Sequence, residues 1–155
     1  MSALTDIFEN KLIDFLFRGQ ALGINGASAA AGTGPATLYV ALKTAADSDS
    51  ASGTEVSGGS YARVAVSSSL VNWAGTQGAA STTVSSGTSG TTSNNGAVTF
   101  PAPTAAWGQV IGYGIYDAAT GGNELIYTSI TPKTINLGDP APSFGAGTLT
   151  FQIDN

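Results

Sequence analysis

A long stretch without charged residues runs through the middle of the chain. Residues 64–116, 53 in all, contain no Asp, Glu, Lys or Arg, and the whole 155-residue sequence contains neither His nor Cys. Catalysis near neutral pH most often uses a His, a Cys or a carboxylate with a shifted pKa. The stretch offers only hydroxyls, amides, aliphatic groups and aromatic rings, which suit packing against protein better than chemistry. The sequence therefore favours a structural role over catalysis.

The overall composition indicates a folded chain. Charged residues make up 10% of the sequence and hydrophobic residues 42%, whereas typical soluble domains carry about 25% charged residues. Disorder goes with low hydrophobicity and high net charge, but the net charge here is only -5. A chain of this length can bury a core without cross-links. We therefore expect a globular fold with some apolar surface for a partner to cover.

The acidic balance of the chain argues against two classes of partner. A nucleic-acid site needs clustered Lys and Arg to neutralise phosphates, and the five basic residues here are scattered. No apolar run is long enough to span a bilayer. Asp6 and Glu9 lie where a signal peptide carries positive charge. We expect no nucleic-acid partner, no membrane association, and synthesis in the cytoplasm.

One amphipathic helix is predicted over residues 3–18. Apolar residues recur there at helical spacing, acidic residues lie in the first turn, and Gly19 follows as a stop signal. The helix either packs on its own domain or docks on a neighbouring subunit. Residues 19–35 are rich in Gly and Ala and are predicted to form a loop or extended arm. The predicted division of the chain is therefore a helix and arm over 1–35 and a β domain over 36–155.

The β domain has the residue pattern of short strands. Its apolar runs share β-branched and aromatic residues and are bounded by Gly, Pro, Asn or Ser. We predict strands at residues 37–42, 61–66, 97–100, 110–116, 124–130 and 148–153. The Gly-Gly turn at 117–123 predicts a hairpin, and another element can approach closely at Gly112 and Gly114. This pattern is typical of an antiparallel β-sandwich or barrel-like domain, here preceded by one α-helix.

Residues 67–97 have the weakest local signals. Ser, Thr, Gly, Ala and Asn dominate this segment, so we predict poorly specified strands and loops that neighbouring subunits complete. On this interpretation only the later part of the uncharged stretch, residues 107–116, belongs to the core. Hydrogen exchange in residues 67–97 is then expected to slow on assembly.

The sequence offers no convincing catalytic or ligand constellation. A Ser nucleophile has no His to act as base, and no phosphate-binding or dinucleotide-binding signature is present. Asp47 and Asp49 have the alternate spacing of a calcium loop but lack its Gly and Glu. Asp117, Glu124 and Asp139 could supply a glycosidase pair, but they fit turn, strand-end and loop positions. We predict no enzyme activity and no catalytic, cofactor or metal site.

The aromatic residues allow two interpretations. Lined up on an exposed face, they would stack on sugars; more often, such residues anchor a core or a subunit interface. The possible sugar-stacking residues are Trp73, Trp107, Tyr113, Tyr116 and Tyr127. The candidate interface residues are Phe8, Leu12, Phe15, Trp73, Trp107 and Tyr113.

Several motifs together carry a resemblance. They are LIDFLFR at 12–18, ATLYVAL at 36–42, GTEVSGGSYARV at 53–64, WGQVIGYGIYDAATGGN at 107–123, PKTIN at 132–136 and FGAGTLTFQI at 144–153. With them the chain resembles a family of small virion proteins of tailed bacteriophages, whose members are capsid decoration (cement) or tail-fibre proteins. The resemblance covers most of the chain except residues 20–34 and 78–95, which look like insertions.

This resemblance implies a non-enzymatic virion protein, and physical considerations favour capsid decoration. A cement protein needs a compact domain and an element that reaches the shell, whereas a fibre normally needs heptads or repeated segments, which this sequence lacks. The expected partners are the major capsid protein and copies of the chain itself, as a homotrimer. The alternative is a tail-fibre or receptor-binding module that contacts glycans on the host surface.

Overall fold

The structure is a computed structural model that describes residues 4–24 and 34–153. Part of the predicted arm at 19–35 and the first residue of the predicted helix lie outside the described residues. The described residues form one α-helix and eight β-strands. In chain order these are α1 (Asp6–Arg18), β1 (Thr37–Lys43), β2 (Val64–Ser67), β3 (Thr91–Ser93), β4 (Val98–Thr99), β5 (Gly108–Tyr116), β6 (Glu124–Ile135), β7 (Ser143–Phe144) and β8 (Thr150–Gln152).

Antiparallel pairing dominates these strands. The largest sheet has the order β2-β1-β5-β6, and its β1–β5 and β5–β6 pairs are antiparallel. β3 pairs antiparallel with β8, and β4 pairs with β7. The prediction of a mainly β fold with antiparallel strands after one N-terminal α-helix is confirmed.

The helix α1 ends at Arg18 as predicted, but it begins at Asp6, because Thr5 is extended, rather than at residue 3. The Thr5 carbonyl accepts hydrogen bonds from the N–H groups of Phe8 and Glu9. At the other end Gly19 adopts a left-handed conformation, with φ of 67°, and its N–H bonds the carbonyl of Asp14. At 13 residues α1 is short, and no helix within the described residues has the length and apolar character needed to cross a bilayer.

The hairpin of β5 and β6 is confirmed and is longer than predicted. β6 continues past Ile130 to Ile135, and the β5–β6 register shifts between Val110 and Gly112 and again between Ile115 and Tyr116. Pro132 is tolerated in β6 because this strand lies at the edge of the sheet.

Three other predicted strands are shorter than expected. The last, predicted over residues 148–153, is β8 and spans Thr150–Gln152. β2 begins at Val64 rather than at residue 61, because Tyr61 closes a turn in which its N–H bonds the carbonyl of Gly58. Ser60, with φ of 64°, fixes this turn in a conformation that a strand cannot use. β4 is restricted to Val98–Thr99, just ahead of Pro101.

Contacts group the chain into two compact units. Unit 1 comprises Met1–Ala36, Ser67–Ala97 and Phe144–Asn155, and unit 2 comprises Thr37–Val66 and Val98–Ser143. The predicted division into 1–35 and 36–155 stays a prediction, because compactness within one chain does not say which segments bind a neighbouring copy.

The core of unit 1 joins α1 to the segment that the sequence specifies weakly. Ile13, Phe17 and Trp73 are fully buried. The Phe17 ring centroid lies 5.0 Å from that of Trp73 and 5.2 Å from that of Phe151. The helix therefore packs on its own chain, the first of its two alternatives. The interpretation that only residues 107–116 of the uncharged stretch form core is wrong.

A buried arginine explains why the first part of the uncharged stretch is ordered within the chain. The guanidinium of Arg18 donates hydrogen bonds to Asp14 Oδ1 at 2.7 Å, Ser85 Oγ at 3.0 Å, the Trp73 carbonyl at 2.9 Å and the Thr83 carbonyl at 2.7 Å. The backbone carbonyls of polar loops with few apolar contacts thereby find hydrogen-bond donors within the same chain. A slowing of hydrogen exchange in residues 67–97 on assembly stays a prediction.

Candidate ligand-binding cleft

Two glycines of β5 open space on one face of the large sheet. Gly114 lies opposite Ala41 of β1 and Tyr127 of β6, and directly opposed residues of antiparallel strands point to the same face. A Cβ at Gly114 would collide with the carboxylate of Glu124 and would lie 3.3 Å from Cε of Lys43. The expectation that another element approaches at this glycine is confirmed, and the approaching groups are charged side chains.

Lys43 is fully buried in this space. Its Nζ lies 2.8 Å from Asp47 Oδ1 and 3.0 Å from Glu124 Oε1, and it donates a hydrogen bond of 2.6 Å to the Tyr116 hydroxyl. Burial alone would lower the pKa of Lys43, but its hydrogen bonds with Asp47, Tyr116 and Glu124 outweigh that effect and raise the pKa well above 10.5. The ammonium therefore stays charged at neutral pH and serves neither as a base nor as a nucleophile.

An ion pair between Arg63 and Glu55 fixes the segment that joins β1 to β2. Arg63 binds Glu55 through two hydrogen bonds of 2.9 and 2.7 Å, and its guanidinium carbon lies 3.5 Å from the centre of the Tyr116 ring. The Tyr61 hydroxyl also donates to Glu55, at 2.9 Å. Burial alone would raise the pKa of Glu55, but the hydrogen bonds from Arg63 and Tyr61 outweigh it and hold the pKa below 4.5.

The three carboxylates considered for glycoside hydrolysis all have structural partners. Asp117 accepts hydrogen bonds from the N–H and the side-chain amide of Asn123, at 2.7 and 2.8 Å. Asp139 accepts one from the N–H of Asn136 at 2.7 Å, and Glu124 pairs with Lys43. Within the described residues no group of three or more acidic side chains is arranged to hold a metal ion.

An open cleft surrounds Tyr127 at the edge of the sheet in unit 2. It has a volume of about 520 Å³, and its lining includes Ser50, Ser52, Asn123 and Leu125. A second cavity of about 390 Å³ also touches Tyr127 and reaches Lys43. The cleft borders the charged cluster of Lys43, Asp47, Tyr116 and Glu124 through Glu124, and it is our candidate functional site.

Tyr127 and the loop facing it are held in place by hydrogen bonds. The Tyr127 hydroxyl, on a side chain that is 39% exposed, donates to Asp49 Oδ1 at 2.8 Å. The hydrogen bond to Asp49 raises the pKa of Tyr127, so the hydroxyl stays protonated. Ser48 and Ala51 exchange two backbone hydrogen bonds of 2.9 and 3.2 Å, which close the loop that bears Asp49.

The row of sugar-stacking aromatics, the less common of the two interpretations, does not form. Of its five members only Tyr127 is exposed, whereas Trp73, Trp107, Tyr113 and Tyr116 are buried. Trp107 also donates its ring N–H to the carbonyl of Gly59, at 2.9 Å. These four are core residues, in agreement with the interpretation that they anchor a core or an interface.

The candidate interface residues fall into two groups. Trp73, Trp107 and Tyr113 are buried within the chain, so little of their surface is available to a neighbour. The helix residues Phe8, Leu12 and Phe15 are partly exposed on α1. A role for these three in a subunit interface stays a prediction.

Sequence reasoning missed the charged cluster itself. Its one local signal is Lys43 at the end of the apolar run TLYVALK, where an inward-facing charge demands a partner. The spacing of Gly112 and Gly114 in β5 indicated only that another element approaches there, not that it carries charge. The partners Asp47, Tyr116 and Glu124 could not be assigned because two of them lie more than 70 residues away.

Comparison with protein families gives one match over nearly the whole sequence. The model of the family described as Podophage GP4 fiber I protein gp80 matches residues 3–152. This range includes α1, all eight strands and the cleft around Tyr127. No curated protein matches the sequence.

Proposed function

The chain belongs to the family of the podophage GP4 fiber I protein gp80, and on this premise we propose that it is a non-enzymatic structural component of a phage fibre. The observation that carries the proposal is the match over residues 3–152. Because the match includes every described helix and strand, it supports one proposal for the whole fold. The protein is made in the host cytoplasm and is incorporated into the virion.

The arrangement of the charged groups supports a structural role. Lys43 and Arg63 are each held by carboxylates, and Arg18 is held by Asp14 and by backbone carbonyls. Cations held by such partners order the loops around them. They therefore serve the fold better than proton transfer.

The exposed end of α1 is the surface proposed for attachment. Ile7 in the first turn of α1 is 75% exposed, Leu4 just ahead of the helix is 41% exposed, and Phe8 is partly exposed. Exposed apolar side chains grouped on one element mark interaction surfaces. We expect this end to contact copies of the same chain, assembled as a homotrimer, and at the base of the fibre the major capsid protein.

Capsid decoration is the second candidate function. The sequence contains no heptad pattern and no repeat with a period of 20 to 50 residues, and a long fibre shaft normally needs one or the other. A small protein without such repeats suits a capsomer cap or a short globular part of a fibre. The observation therefore supports capsid decoration as well as it supports a fibre segment.

Copy number distinguishes the two candidates. Purified virions are digested, and peptides of this chain are quantified by mass spectrometry against peptides of the major capsid protein. The copy number of a fibre component is expected to be a small fraction of that of the capsid protein. The copy number of a decoration protein is expected to be proportional to the number of capsomers. Absence of the chain from virions would contradict both candidates.

A further inference from the structure

We propose that the cleft around Tyr127 binds a neutral saccharide. This inference rests on the proposed fibre role and deepens it, because it names a ligand class and a site for the glycan contact that the sequence left as an alternative. It rests on the size of the cleft, its hydroxyl-rich and apolar lining, its charge and its fixed geometry.

The size of the cleft fits a small ligand rather than a protein segment. Its volume of about 520 Å³ lies within the range of about 300–1,000 Å³ that is usual for small-molecule sites. The cleft is open at the edge of the sheet, so a sugar that forms part of a longer chain can enter without being enclosed at both ends.

The lining combines an apolar surface with hydroxyl and amide groups. Tyr127 and Leu125 of β6 are 39% and 37% exposed and supply the apolar part. Ser50, Ser52 and Asn123 lie around them and provide groups that both donate and accept hydrogen bonds. A saccharide matches this lining because one face of its ring carries C–H groups, whereas its edge carries hydroxyls that donate and accept.

The charges of the cleft favour a neutral ligand over an anionic one. The described residues that line it include Asp49 and Glu124 but no Lys or Arg. Lys43, the nearest buried cation, is committed to Asp47, Glu124 and Tyr116. A phosphate, a sulfate or an acidic sugar would therefore meet two carboxylates without a free cation.

The geometry of the cleft is set before any ligand arrives. The bond of 2.8 Å from Tyr127 to Asp49 holds the ring against the opposite wall. Asp47 anchors the same wall, because it accepts the N–H of Gly53 and pairs with Lys43. Little side-chain entropy is lost when a ligand enters a site that is already ordered.

The test is a titration of the whole protein with neutral oligosaccharides in the presence of EDTA. Binding is observed as chemical-shift changes in two-dimensional amide NMR spectra. The probes are di- to tetrasaccharides of glucose, galactose and mannose, with an oligogalacturonate of equal length as the anionic comparison. We expect shifts confined to residues 48–52 and 122–127 for at least one neutral probe, and weaker binding of the oligogalacturonate.

Four variants, one of them a control, assign the binding to the cleft. Tyr127→Ala is expected to weaken binding about tenfold or more, whereas Tyr127→Phe keeps the ring and loses about threefold. Leu137→Ala is the matched control, because Leu137 is 68% exposed in the same unit and lies outside the cleft lining. Asp49→Asn is expected to reduce the discrimination against oligogalacturonate and serves as the second variant if Tyr127→Ala does not fold.

Three results would overturn the proposal. The first is the absence of shifts in the cleft with every neutral probe at about 10 mM, a concentration above the millimolar Kd of weak specific binding. The second is that the oligogalacturonate binds as tightly as the neutral probes. The third is that Leu137→Ala loses as much binding as Tyr127→Ala. None of these results would bear on the copy number of the chain in virions, so the structural role is tested separately.

Discussion

At the scale of single residues, Arg18 shows how a segment of small polar residues can be held in a fold. Residues 67–97 supply carbonyl groups that need donors, and Arg18 supplies several donors from the last turn of α1. Asp14 balances the charge, four residues earlier on the same helix. The loop order in unit 1 therefore depends on an ion pair that lies outside the segment it orders.

Replacement of Arg18 is expected to be among the most costly single changes in the chain. Arg18→Met leaves Asp14 buried without its cation and leaves the carbonyls of Trp73 and Thr83 without a donor. We expect the free energy of unfolding in urea to fall by about 3–5 kcal/mol. Lys11→Met is the control, because Lys11 is a partly exposed cation of the same helix, and its loss is expected to cost about 0.5 kcal/mol or less. Similar effects of the two changes would contradict the role of Arg18.

Glu55 predicts an acid-sensitive contribution to stability. Its pKa is lower in the folded chain than its ordinary value of 4.5, so the unfolded chain binds the proton more readily. The contribution is therefore complete above that value and is lost as the pH falls through the folded pKa. We expect the free energy of unfolding of the wild type to decline below about pH 4.5, and Glu55→Gln to flatten part of that decline.

Arg63→Met supplies the internal check on this prediction. Without Arg63, Glu55 loses two of the hydrogen bonds that lower its pKa, so the same part of the acid-dependent decline should disappear. An unchanged pH profile in both variants, measured by urea unfolding at several pH values, would show that the pair does not couple to folding.

At the scale of elements, β5 is the strand that makes room for the charged cluster. Its glycines face Lys43 and the backbone of β6 where larger residues would push the sheet apart. A Cβ at Gly112 would lie 2.7 Å from the carbonyl oxygen of Thr128, and a backbone atom cannot swing away as a side chain can.

Gly112→Ala is accordingly expected to destabilise the hairpin. Overpacking of this kind costs about 1–3 kcal/mol, and it should appear as a lower thermal midpoint and a lower free energy of unfolding. Gly96→Ala is the matched change, because a Cβ there meets no atom within 4 Å and should be neutral. If Gly112→Ala is as stable as Gly96→Ala, close approach does not explain this glycine.

The elements that sequence predicts well are those whose signals are local. The existence of α1 follows from its apolar spacing, and its C-terminal end follows from Gly19. The β5–β6 turn follows from Gly121 and Gly122, which adopt φ of 60° and 70°. The order of residues 67–97 could not be predicted because their donor, Arg18, lies 55 to 67 positions away.

The same limit applies to the candidate site. Its two defining contacts are Tyr127 with Asp49 and Glu124 with Lys43, and these pairs are 78 and 81 positions apart. Composition could not indicate that charges from outside the uncharged stretch gather beside it. Only the sheet register brings Gly114 and Tyr127 together.

At the scale of the whole molecule, both units fall within one family match. Residues 3–152 match a single fibre family, although the chain folds back so that each unit is built from separate segments. Arg18, Lys43 and Arg63 are used to order loops, and the exposed end of α1 remains available for assembly. These features together favour a part that is incorporated into a larger particle.

The most direct test of this account is a cryo-EM difference map between wild-type virions and virions that lack this chain. The account predicts density that is lost from a fibre, in few copies, with the helix α1 at a contact between chains. Density lost uniformly over the capsid shell would favour decoration instead. Virions with no difference in density would contradict the claim that the chain is a structural component of the virion.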